Sequence, residues 1–117
     1  SKNLGWERER RKNTPLALTI NPEYEGLDKT FKENSFRDTL YNQVIDEFGS
    51  FIKKKKKPAK LALFVIYNLG MTVSVKKEHF PKLVDTMVTH YTKLEDYDKC
   101  SELTKLKEKL WKNLYFL

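Results

Sequence analysis

The chain has 117 residues, is 39% apolar, 33% charged and 13% aromatic, and carries a net charge of +7. That length suits one domain with a modest core, and the aromatic content argues against a disordered chain. The single cysteine, Cys100, excludes an intrachain disulfide, and the longest apolar run, Leu61–Tyr67, is too short for a helix that crosses a bilayer.

No apolar stretch near residue 1 resembles a signal peptide. The expected location is therefore intracellular, in cytoplasm or nucleus, with no membrane partner. Nineteen of the 23 basic residues are lysine. Lysine acts as a point charge, whereas arginine is the usual bidentate reader of guanine, so the composition suits attraction to a phosphate backbone better than base reading.

Residues 1–34 read as an arm. Trp6-Glu7-Arg8-Glu9-Arg10-Arg11-Lys12 is charged and compatible with a short helix that stops at Pro15. Leu16-Ala17-Leu18-Thr19-Ile20 alternates in a way that suits an extended piece. Asn21-Pro22 and Gly26 break it. The whole is expected to form a strap whose Leu16, Leu18, Ile20, Tyr24, Leu27 and Phe31 lie on the core or on a partner.

Residues 35–117 are expected to form a helical domain. Phe36, Leu40, Val44 and Phe48, widened by Tyr41, Ile45 and Ile52, predict an amphipathic helix over about 36–54, with Ser35 able to cap it. It runs into Lys53–Lys57 and Pro58. Over 59–69 helix and buried strand compete. Phe64, Val65, Ile66 and Tyr67 favour strand. Pro58 before and Gly70 after favour helix, which is the reading adopted. Met71–Val75 reads as a connector.

Phe80, Leu83, Val84, Met87, Val88, Tyr91 and Leu94 predict a helix over 77–94. Cys100, Leu103, Leu106, Leu110 and Leu114 predict another over 97–115. So short a corner at Glu95-Asp96 requires the two to pack antiparallel. The expected fold is all-α: three or four helices ending in an antiparallel hairpin, with an extended N-terminal strap.

Charge is unevenly spread. Residues 35–60 carry seven basic and three acidic side chains, whereas 61–96 carry four of each. Two readings apply to Lys53, Lys54, Lys55, Lys56 and Lys57. Clustered lysine binds phosphates by releasing counterions, and such runs also serve as nuclear import signals. Cations at a helix C-terminus equally offset its dipole, worth ~0.3–1 kcal/mol each. Five like charges exceed what capping needs. With Lys60 and the arm residues Arg8, Arg10, Arg11 and Lys12, they form the candidate nucleic-acid-binding set.

The apolar end, with Trp111, Tyr115, Phe116 and Leu117, reads either as a helix end docked on the core or as an anchor for a partner. Trp6 joins it as a candidate partner-binding aromatic. His79 and His90 lack triad or zinc-ligand spacing, Cys100 falls on a helix stripe, and the four glycines form no phosphate loop. No catalytic residue, metal or cofactor is expected.

Glu95-Asp96-Tyr97-Asp98-Lys99-Cys100-Ser101-Glu102-Leu103, continuing to Leu110, resembles the UVR motif. That motif is a small helical hairpin in excision-repair subunits and in adaptors of protease chaperones. The resemblance implies protein–protein docking. The sequence thus points to a non-enzymatic accessory protein whose partner is a nucleic-acid phosphate backbone or an acidic protein surface, within a larger assembly. The alternative is an adaptor that docks through its aromatic tail and strap.

Overall fold

A computed structural model describes residues 6–8, 16–21 and 27–115. The elements are β1 (Trp6–Arg8), β2 (Leu16–Ile20), α1 (Leu27–Lys32), α2 (Asn34–Lys53), β3 (Lys60–Ile66), β4 (Met71–Lys76), α3 (Phe80–Lys93) and α4 (Tyr97–Tyr115). Short 3-10 turns occupy Tyr67–Leu69 and Lys77–His79. The strands form one sheet in the order β1-β2-β3-β4. β1 pairs antiparallel with β2, Trp6 facing Ile20, and β2 pairs parallel with β3, Leu16 facing Phe64.

The all-α expectation is therefore overturned: the fold is mixed α/β. The expected helix over 59–69 is strand β3. Its near-continuous apolar run, with Leu61, Leu63, Phe64 and Ile66 buried, is what a strand covered on both faces requires. Gly70 ends no α-helix there but caps the 3-10 turn Tyr67–Leu69, its N–H donating to the Tyr67 carbonyl. It adopts φ 61° and closes the turn between β3 and β4. The expected connector at 71–75 is β4, in which half-buried Val73 and Val75 alternate with exposed Thr72, Ser74 and Lys76.

Two changes fall within the arm. Trp6–Arg8 is strand, not helix, while residues 9–12 of that expected helix lie outside the described residues. Leu27–Lys32, expected to be extended, is a helical turn and a half that passes almost directly into α2. Glu33 joins them: its N–H donates to the Thr30 carbonyl, and its own carbonyl accepts from the Arg37 N–H. The Arg37 Nε–H also donates to the Phe31 carbonyl at 2.9 Å.

The chain divides into two compact units, and α2, β3 and β4 contribute to both. The first contains β1, β2, α1, α2 as far as Val44, and Ala62–Ser74. Trp6 meets Phe36 edge-on at 5.3 Å, and Phe31 packs on the same ring. Asn68 acts there as a substitute strand residue. Its Oδ1 accepts from the Ile20 N–H at 3.0 Å, and its Nδ2 donates to the Ile20 carbonyl at 2.7 Å. One side-chain amide thus continues the β2–β3 ladder beyond the end of β3.

The second unit contains Ile45–Leu61 and the residues from Val75 onward. Phe80 packs between Phe48 and Phe51, with ring centres 4.6 and 5.0 Å away. All three rings are fully buried. α3 and α4 run antiparallel. The Lys107 Nζ donates to Asp85 at 2.7 Å near one end, and Thr92 Oγ1 meets Cys100 Sγ at 3.4 Å near the other. The corner closes through Glu95 at φ 57° and the Asp96 N–H donating to the Tyr91 carbonyl. Asp96 Oδ1 then accepts from the Lys99 N–H and caps α4.

Replacing Asn68 with alanine leaves both backbone groups of the buried Ile20 without their partner. Denaturant unfolding of N68A is expected to show a loss of about 1–3 kcal/mol.

Candidate nucleic-acid interface

α2 ends at Lys53, and the next residues turn the chain back into β3. The turn is held by one of the five lysines. The Lys57 ammonium donates to the carbonyls of Phe51 at 2.9 Å, Ile52 at 2.6 Å and Lys54, so its three N–H donors all meet carbonyls at or just past the helix end. It also lies 5.5 Å from the centre of the Phe51 ring. Lys57 therefore acts as the helix cap and is half-buried.

Lys53, Lys54, Lys55, Lys56 and Lys60 are exposed. Two further lysines join them through the sheet. The Lys77 N–H donates to the Ala59 carbonyl at 3.1 Å. β3 and β4 are joined by only four residues and so run antiparallel. That bond therefore brings Lys76 across from Lys60. Lys76 is exposed and Lys77 half-buried. Sequence reasoning missed this pair, because only the β3–β4 register relates it to the run.

Acidic groups lie close by on α2. Burial pushes the Glu47 carboxyl above its ordinary value of 4.5, with Asp46 adding to the rise and the Lys54 ammonium opposing it. The remaining expected cations are less informative. Arg8 is exposed in β1, and Arg10, Arg11 and Lys12 lie outside the described residues. Trp6 is half-buried, with Phe36 edge-on to it, and its indole N–H has no partner among the described residues.

Trp111 is 50% exposed on α4 and Tyr115 ends that helix, while Phe116 and Leu117 lie outside the described residues. The stretch resembling the UVR motif forms the α3–α4 corner and the first part of α4. Leu94, expected on the apolar stripe of the 77–94 helix, is exposed at that corner, as is Tyr97, which the sequence reading did not single out. His90 is buried edge-on against Tyr91, and His79 is exposed. Among the described residues no three His, Cys, Asp or Glu side chains gather as metal ligands, and no helix is long and apolar enough to cross a membrane.

No protein-family model, curated protein or solved structure matches the chain.

Two outcomes test these assignments. Lys57→Met keeps the stem on Phe51 but removes the cap, and is expected to lower unfolding stability by about 1 kcal/mol. The Glu47 carboxyl is harder to ionise in the folded state, so its contribution to stability falls as pH rises above 4.5. Glu47→Gln is accordingly expected to raise the melting temperature at neutral pH, with the gain vanishing below about pH 4.

Proposed function

We propose that the protein is a non-enzymatic accessory factor that binds the phosphate backbone of nucleic acid through the lysines at the end of α2. One observation supports this reading above the others. Lys53, Lys54, Lys55, Lys56, Lys60 and Lys76 all present exposed side chains, while Lys57 alone satisfies the helix end. The helix end therefore explains Lys57, which caps it, and Lys53, which lies in its last turn, and leaves Lys54, Lys55 and Lys56 without that role. Clustered like charges repel one another, and neutralisation by phosphates relieves that repulsion while releasing counterions to solvent. An intracellular site of action follows from such a partner. An acidic protein surface within a nucleoprotein assembly offers the same complementarity.

The second reading is a docking adaptor, favoured by Leu94, Tyr97 and Trp111, whose large apolar side chains remain exposed on the α3–α4 hairpin. Aromatic side chains of this kind dominate binding hot spots.

The two readings differ in salt dependence. Duplex binding through the lysines is expected to weaken linearly in log–log terms, with a slope near −0.9 per phosphate neutralised. The triple variant K54A/K55A/K56A should lower that slope by about 2.7 if all three lysines engage phosphates, whereas Lys57→Met should leave it unchanged. Absence of duplex binding at low salt overturns the proposal.

A further inference from the structure

The register of the β3–β4 hairpin places two cations where they oppose the pairing of the strands. The Lys77 N–H donates to the Ala59 carbonyl. Ala59 and Lys77 are therefore a hydrogen-bonded pair, and the next pair, Lys60 with Lys76, is of the close, non-hydrogen-bonded kind. In such a pair the Cα atoms stand about 4.5 Å apart, and both side chains leave the same face of the sheet. Like charges placed directly opposite one another destabilise a strand pair.

Nothing in the protein offsets this repulsion. Lys60 and Lys76 are both exposed. The ion pairs Lys99–Glu102 and Lys107–Asp85 lie elsewhere, and among the described residues neither Lys60 nor Lys76 meets an acidic side chain. Glu78, the acid nearest to Lys76 in sequence, is exposed in the turn after β4 and pairs with neither lysine. A lysine on the outer strand β4 discourages unwanted strand addition, but that duty needs no second lysine facing it on β3.

We propose that Lys60 and Lys76 together hold one terminal phosphate, a phosphomonoester, at an end or nick of the nucleic acid whose backbone the lysine run contacts. The site rests on the nucleic-acid reading above and adds which part of the strand is held. Charge decides the chemical class. An internal phosphodiester carries one negative charge and is matched by one lysine. A phosphomonoester, with a second pKa of about 6, carries nearly two at neutral pH and offers three acceptor oxygens. Two ammonium groups on facing strands match that charge, and a dianion between them removes the repulsion the pair otherwise suffers. Each ammonium brings three donors that rotate to meet the oxygens.

The surroundings favour a nucleic acid over a lone phosphate ion. Lys54, Lys55 and Lys56, exposed in the turn that leads into β3, supply cations for the phosphates that follow on the same strand. The second unit carries fifteen basic and nine acidic side chains, against eight and seven in the first, so a polyanion is drawn to the unit that holds the pair.

Fluorescence anisotropy tests this with duplexes of one sequence whose ends carry a phosphate, a hydroxyl or a methylphosphate. The methylphosphate keeps the phosphorus but only one charge. At low salt the phosphate end should bind about tenfold more tightly than the hydroxyl end, with the methylphosphate in between. Lys60→Met and Lys76→Met should each remove most of that preference while largely preserving binding of the hydroxyl duplex. Each also relieves a like-charge pair, so neither should lower the melting temperature. K54A/K55A/K56A should instead weaken all the duplexes alike and keep their ratio. A wild-type chain indifferent to the terminal phosphate, a methylphosphate end bound as tightly as the phosphate, or a preference that survives both methionine substitutions overturns this site and leaves the backbone reading standing. A phosphoserine peptide bound more tightly than the phosphorylated duplex assigns the pair to a phosphoprotein and overturns it too. Absence of binding to every duplex overturns both.

Discussion

The parallel pairing of β2 with β3 is the constraint on which the rest of the first unit depends. β2 is buried at four of its five positions, so both of its faces are covered, and it has a strand on each side. A parallel neighbour cannot be reached by a hairpin. The chain must cross over and return to the starting end, normally through a helix. α1 and α2 are that crossover, and the length of α2 carries the chain back to where β3 begins. Asn68 then extends the ladder past the last residue of β3, offering one amide where a peptide group would otherwise stand.

The same crossover accounts for the position of the lysine run. The chain has to leave α2 and turn sharply into β3, and a helix end exposes carbonyls with no intrahelical donor. Lys57 folds back to meet them. Its neighbours have no such duty, and the strand that follows places Lys60 beside the returning Lys76. A structural demand at a helix terminus and a concentration of exposed cations thus arise from one short segment. The aromatic packing of Phe48 and Phe51 on Phe80 anchors the helix end from which it emerges.

Elements with a clear period were legible in the sequence, and those without were not. The stripe from Phe80 to Leu94 and the one from Cys100 to Leu114 mark α3 and α4, and the four-residue recurrence from Phe36 to Phe48 marks α2. β3 was misread because an apolar run without alternation has no period to measure. Its flanking Pro58 and Gly70 match helix punctuation as well as they match the entry to a strand and a hairpin turn. β4 does alternate apolar and polar residues from Met71 to Lys76, a strand signal that the connector reading passed over. For the candidate site, the run at a helix end was visible. The role of Lys57 and the arrival of Lys76 were not, since one depends on a side chain folding back and the other on a register between strands.

The parallel pair also orders events during folding. Ile20 and Asn68 are separated by 48 positions, and Leu16 and Phe64 by the same interval. Closing such a loop carries its entropic cost before any contact across it offsets that cost. The α3–α4 hairpin, whose partners lie on either side of a three-residue corner, has no comparable delay. The β3–β4 hairpin, joined by only four residues, is equally local, so the step that bears the long closure is the docking of β2 onto an edge that β3 already presents.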